Sequence, residues 1–269
     1  MIQAIPKAIS VACLLLYYSC GTLFIRCAYK KNTQRVRLAE WTSLLSVAIL
    51  EELGVLCSSE SEGEIPQQGY FIVANHVSYL DVLLIAAMTP TLFVTSREVR
   101  STPFLGLLAR LSGSLFVERR SATRLVSEVN EIQEALKQGL NVVVFPEATS
   151  TDGRKVLPFK SALFESAIRT KTAVLPVTVD SRSVDGRQIA RREADRVLYY
   201  GTMEFLPQLV RLLCVSELWV ELSIFQPLRT HGEVRSALAN RCWNLIRSRH
   251  QPIEETVQET AVNMISALR

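Results

Sequence analysis

From Tyr70 onward the chain alternates short apolar runs with longer stretches whose apolar residues recur every three or four positions. Short runs rich in Val, Ile and Phe read as strands, and the 3.6-residue period reads as helix. Strands are expected at 70–74, Thr91 to Thr95, Ser114 to Val117, Asn141 to Phe145, Ala173 to Val179, Arg196 to Tyr200 and Leu218 to Phe225. Helices are expected at 78–88, 103–111, 121–138, 159–169, 204–213 and 232–248. Such alternation implies an α/β domain, a mixed sheet flanked by helices. Ligands of these sheets bind in the turns beyond the strand ends. The first strand leads into His76, the third into Glu118-Arg119-Arg120, and the fourth into Pro146-Glu147-Ala148-Thr149-Ser150.

Ahead of this domain the pattern changes. Residues 8 to 25 carry no charge. As a helix they span ~27 Å, close to the apolar thickness of a bilayer. Arg26, Lys30, Lys31, Arg35 and Arg37 follow, so a crossing helix would leave the remaining chain in the cytoplasm. The alternative is a helix lying in the interface with those cations on anionic head groups. No small-residue cleavage site follows, so a removable leader is not expected. Trp41 to Leu56 has helical spacing, but Glu51 and Glu52 argue against a second crossing. Ser58 to Gly69 is polar and reads as a linker. Beyond Pro252, Val257, Ala261, Met264, Ile265 and Leu268 form one amphipathic stripe. Three parts result: N-terminal membrane-associated helices (1–57), the α/β domain (58–250) and a C-terminal amphipathic helix (251–269).

Composition narrows the partners. A net charge of +4 over 269 residues gives no reason to expect nucleic acid. Cys13, Cys20, Cys27, Cys57, Cys214 and Cys242 form no CxxC or Cys/His cluster, so neither a zinc site nor a disulfide framework is read. His231 and His250 lie among basic residues and are expected at the surface.

The candidate chemistry is in Asn75-His76-Val77-Ser78-Tyr79-Leu80-Asp81. With His76 in a turn and Asp81 in the first turn of the next helix, the carboxylate can bond one ring nitrogen. The other nitrogen is then free as a general base. The competing reading is structural: Ser78 and Asp81 have capping-box spacing. Spacing alone leaves both open. Pro103 to Leu111 is strongly apolar and is either the wall of an apolar binding site, a membrane-facing helix or a core helix, the last being the more ordinary. Asp180 to Arg196 holds five arginines among acids, and reads as a solvated loop or a surface for anionic head groups or other phosphates, the solvated loop being the safer reading.

Four segments together resemble a known family. Asn75 to Asp81 resembles the NHxSxxD block of the glycerolipid acyltransferases, the 1-acylglycerol-3-phosphate acyltransferase family. Gly113-Ser114-Leu115-Phe116-Val117-Glu118-Arg119, Phe145-Pro146-Glu147-Ala148-Thr149-Ser150 and Val174-Leu175-Pro176-Val177 are similar to its second, third and fourth blocks, in the family's order. The resemblance implies transfer of a fatty acyl group from acyl-CoA or acyl-carrier protein to a lysolipid hydroxyl at a membrane. No metal or prosthetic group is implied. His76 would be the base and Asp81 its orienting partner. Arg119, Glu147 and Thr149 would bind the acceptor. The third block of the family reads FPEGTRS; here Ala148 replaces the glycine and Ser150 the arginine. Lys155 or Lys160 is expected to replace that charge, with lysophosphatidic acid as acceptor. The alternative is another lysolipid, lyso-ornithine lipid first, which the run Thr149 to Gly153 and Tyr199 to Met203 resemble. Outside this class stand a thioester hydrolase and a non-catalytic lipid-binding protein.

Overall fold

A computed structural model describes residues 4–63, 69–118 and 122–253. The chain begins with two helices, α1 (Ala4–Ala28) and α2 (Lys31–Leu53). There follow β1 (Val55–Ser61), β2 (Phe71–Ala74), α3 (Leu80–Met88), β3 (Thr91–Ser96), α4 (Arg97–Ser101), α5 (Leu105–Leu111), β4 (Leu115–Val117), α6 (Ala122–Lys137) and β5 (Asn141–Val144). The rest is α7 (Phe164–Thr170), β6 (Val174–Val184), β7 (Arg187–Gln188), α8 (Arg191–Val197), α9 (Phe205–Leu213), β8 (Leu218–Ile224) and α10 (Arg235–Arg249).

The strands form one mixed sheet in the order β1-β8-β6-β2-β5-β3-β4, with β7 paired to β6. From β6 through β2, β5 and β3 to β4 every pairing is parallel, and β8 runs antiparallel to β6. The turns after β2, β5, β3 and β4 therefore open on a single edge, as a single cleft requires. β2 shows why the centre holds: Phe71 and Val73 point to one face, Ile72 and Ala74 to the other, and all four are buried. Strands covered on both faces are apolar throughout. One face is covered by α2, α3, α8 and α9 through Leu53, Leu84, Val197 and Leu212. The opposite face is covered by α6, α7 and α10 through Ile132, Phe164 and Ile246. Each such side chain contributes about 1.5–3 kcal/mol when taken from water.

Three expectations change. The segment 58–61, read as linker, is part of β1, which pairs parallel with β8. Only Val55 of this edge strand is fully buried, so no alternation marks it. The helix before it stops at Leu53 because Gly54 caps it with φ 74 and donates its amide to Leu50 and Glu51. A Cβ there would lie 2.2 Å from the Ser216 carbonyl oxygen, so only glycine fits. The strand expected at 196–200 is instead the end of α8 and a coil; the Tyr199 amide donates to Val77 O at 3.0 Å, joining the turn after β2 rather than the sheet. The expected loop 180–196 is largely ordered as β6, β7 and α8, and several of its charges are paired, Arg182 with Glu221 at 2.6 Å and Arg196 with Asp185 at 2.9 Å. Of the expected C-terminal helix, 254–269 lie outside the described residues.

Candidate active site

β2 ends at Ala74 and the chain turns through 75–79 before α3 begins. Asp81, buried in the first turn of α3, reaches back over this turn. Its Oδ2 accepts the Val77 amide at 2.7 Å, the Ser78 amide at 2.9 Å, and contacts His76 Nδ1 at 2.8 Å. Capping and orientation, which spacing left as rivals, are thus the work of one carboxylate. With Nδ1 donating to Asp81, Nε2 is left with its lone pair. That nitrogen makes no hydrogen bond among the described residues, and the His76 ring is 22% exposed. The ring stacks on Phe145, centroids 4.1 Å apart, which fixes its plane.

The main chain of His76 is held on both sides by the loop after β5. Glu147 Oε1 accepts the His76 amide at 2.8 Å, and its Oε2 accepts the Leu157 amide at 2.7 Å. The Thr151 amide donates to His76 O at 2.8 Å. Burial pushes the Glu147 carboxyl up to about 7, against the pull of the two amides and of His76. Both oxygens of Glu147 are occupied by backbone, so this side chain braces the turn instead of facing an acceptor. Ala148 has φ 66, where the resembling family block has glycine; a Cβ in that region costs about 1–2 kcal/mol.

His76 opens into a cavity of about 430 Å³. Its walls are mostly apolar: Val11, Leu15 and Tyr18 from α1, Leu45 and Ile49 from α2, Phe93 from β3, and Leu105 and Leu108 from α5. The stretch 103–111 is therefore not a simple core helix: it lines this cavity and leaves Phe104 and Leu107 exposed. Thr149 and Ser150 line the mouth beside His76. Lys155 and Lys160 are exposed and line neither this cavity nor the cleft beside it. Arg119 lies outside the described residues.

The adjoining cleft, about 460 Å³, shares Ser114 with the cavity and brings together Arg26, Arg35, Arg97, Arg100 and Arg110 beside Glu131. The sequence reading missed this cluster, because its members come from α1, α2, α4 and α5. The nearest signal was the Arg97–Arg100 pair directly after β3. Arg26 donates to the Arg110 carbonyl, and Arg100 lies over the Phe116 ring at 5.4 Å. Guanidinium groups gathered in this way suit an anionic group such as phosphate or carboxylate.

α1 is long and apolar enough to cross a membrane. Both its ends are nevertheless tied to the domain. Lys7 Nζ donates to Leu53 O at 3.0 Å and Val215 O at 2.8 Å, and Arg26 bonds Arg110 at the far end.

The family model Acyltransferase matches residues 58–180. The lyso-ornithine lipid O-acyltransferase of Pseudomonas aeruginosa is 34% identical over 79% of this chain and 78% of its own length. The 1-acyl-sn-glycerol-3-phosphate acyltransferase of Neisseria gonorrhoeae is 37% identical over 46% of this chain and 48% of its own. The fold is similar to the crystal structure of PlsC, the 1-acyl-sn-glycerophosphate (LPA) acyltransferase of Thermotoga maritima, with TM-score 0.65, 21% identity and coverage of 92% and 94%.

Proposed function

Since the chain belongs to the acyltransferase family, we propose that His76 Nε2 is the base that moves a fatty acyl group from a thioester to the hydroxyl of a lysolipid. The observation that carries this is the split environment of one ring, which lines an apolar cavity: Nδ1 is held by Asp81, and Nε2 makes no hydrogen bond among the described residues. The acceptor hydroxyl gives its proton to Nε2 as its oxygen attacks the thioester carbonyl. The C–O bond forms, the C–S bond breaks, and Nε2 returns the proton to the leaving sulfur. Asp81 keeps the proton on Nδ1 throughout and stabilises the transient imidazolium. These steps call on no metal or prosthetic group.

The acyl chain lies in the cavity between α1, α2 and α5, and the donor is acyl-CoA or acyl-carrier protein. The arginine cleft receives the anionic part of the acceptor, the role expected earlier of Lys155, Lys160 and the missing arginine. Lyso-ornithine lipid is the first acceptor to test, supported by the 79% span of the Pseudomonas relative and by Ser150 in place of arginine. Lysophosphatidic acid is the second, supported by the five guanidinium groups.

The enzyme lies on one membrane leaflet. The bonds that tie α1 to the domain at both ends, and its place in the cavity wall, favour a helix lying in the interface over one that crosses the bilayer. Ile5, Ile9, Leu16, Leu23 and Phe24 of α1, Leu44 of α2 and Leu206 of α9 are exposed, and a bilayer surface covers such residues. The face is cytoplasmic, where both thioesters are made.

Purified enzyme is given an acyl thioester and a panel of lysolipids, with products read by mass spectrometry. Acylated lyso-ornithine lipid or phosphatidic acid identifies the acceptor. Thiol release at full rate without any lysolipid would sink the transferase in favour of a hydrolase.

A further inference from the structure

His250 is not at the surface. It follows α10, where its amide donates to Ile246 O at 2.9 Å, and its side chain is only 5% exposed. Nδ1 lies 2.5 Å from Asp180 Oδ1 on β6, and Nε2 lies 3.0 Å from the Gly153 carbonyl oxygen. A carboxylate and a carbonyl both only accept. A ring that meets an acceptor at each nitrogen carries a proton on each. His250 is thus an imidazolium bridging a strand to the loop after β5. Burial opposes the charge, but the bonds to Asp180 and Gly153 outweigh it and the net shift is upward. Asp180 from β6 and Glu147 from the loop are the acids acting on the ring. On its own side of the chain, Arg249 pairs with Glu60 and Ser223 instead.

These bonds close a circuit through the catalytic turn. Asn75, next to His76, exchanges two hydrogen bonds with Val179 at 2.9 and 2.8 Å, and Val179 precedes Asp180. In the other direction, Glu147 holds the His76 amide and Thr151 its carbonyl, two residues before Gly153. One path leaves His76 through β6 and the other through the loop, and His250 is where they meet. The tail seals the junction: the Gln251 amide donates to Asp180 Oδ2 at 3.2 Å and the Ile253 amide to Gly153 O at 3.1 Å. Gly153 has φ 76, and a Cβ there would meet Ile253 Cδ1 at 2.7 Å, so the close approach requires glycine.

We propose that His250, bonded as an imidazolium to Asp180 and Gly153, is a positioning residue that closes this circuit and holds the main chain of His76 in place for acyl transfer. The inference rests on the reading of His76 as the base. Removing the proton costs one of the ring's two bonds and removing the ring costs both, which leaves this side of the 147–153 loop held to the tail by the Ile253 amide alone. The base then samples positions away from its reacting geometry.

The test uses full-length wild type, His250→Ala and His250→Gln, assayed with an acyl thioester and the preferred lysolipid across neutral and alkaline pH. His250→Ala lowers kcat roughly ten- to a hundredfold at nearly unchanged KM for both substrates. His250→Gln, which still donates one bond, recovers part of the rate and loses the alkaline fall in kcat that titration of His250 imposes. Unchanged kcat in folded His250→Ala, with only a lower Tm, would overturn the proposal. An NMR spectrum of isotope-labelled histidine in the wild type tests the charge state directly, with only three histidines to assign. Protons on both nitrogens of His250 at neutral pH are expected; a neutral ring overturns the proposal. That spectrum needs neither substrate nor variant. An enzyme that transfers no acyl group would therefore defeat the acyl-transfer reading while leaving the circuit to be judged by itself.

Discussion

Among the described residues are two histidine–aspartate pairs, and they differ in what surrounds the second ring nitrogen. His76 and Asp81 are five residues apart, sit at the mouth of a cavity, and leave Nε2 bare. His250 and Asp180 are 70 residues apart, are buried, and fill Nε2 with a carbonyl. On the roles proposed above, the same two side chains at nearly the same distance serve as a base in one place and a clamp in the other. A carboxylate beside an imidazole does not by itself mark a catalytic group; an unoccupied nitrogen facing a substrate-sized space does.

The contrast can be broken at its strongest point first. His76→Ala removes the base and should lower kcat by roughly a thousandfold, with thermal unfolding little changed because the ring makes a single side-chain bond. A variant retaining a tenth of the wild-type rate would take the base assignment away from His76. Asp81→Asn comes next. It should cut kcat by roughly a hundredfold or more through the wrong tautomer. It should also lower stability by about 1–3 kcal/mol, because Asp81 also accepts two amides. A loss of stability with kcat intact would reduce Asp81 to a cap.

A smaller effect follows from pH. Glu147 is raised to about 7 by burial and His250 is raised by its two acceptors, so each binds its proton more tightly folded than unfolded. The stability each proton confers is complete below the group's ordinary value and is lost as pH rises through the folded one. Stability should therefore decline from mildly acidic pH to about 7 through Glu147, and further through His250 as pH rises past the ordinary histidine value. Unfolding midpoints across this range measure it, and a profile that rises with pH would contradict both assignments. The smallest effect is at Ala148. Replacing it with glycine relieves φ 66 and should stabilise the fold by about 1 kcal/mol, read as a higher Tm. A lower Tm would show that the methyl group is held by favourable packing.

What could be read in the sequence follows the same division. His76 and Asp81 declare themselves because their contact is local, and the central strands because burial on both faces makes them apolar without interruption. β1 went unread because Val55 alone is fully buried. The arginine cleft and the His250 clamp went unread because each joins residues that only the folded chain brings together. Sequence reasoning looks for the missing positive charge nearby, at Lys155 and Lys160, whereas the arginines of the cleft proposed to supply it come from four helices.

One feature of the N-terminus bears on how this enzyme is handled. The helix whose Ile5, Ile9, Leu16, Leu23 and Phe24 are exposed also supplies Val11, Leu15 and Tyr18 to the cavity wall. Trimming α1 to obtain a soluble enzyme would therefore do more than free it from the lipid. If the fatty chain lies in this cavity as proposed, trimming would remove one side of its slot, and the shortened protein should lose its choice of acyl length before it loses its reaction.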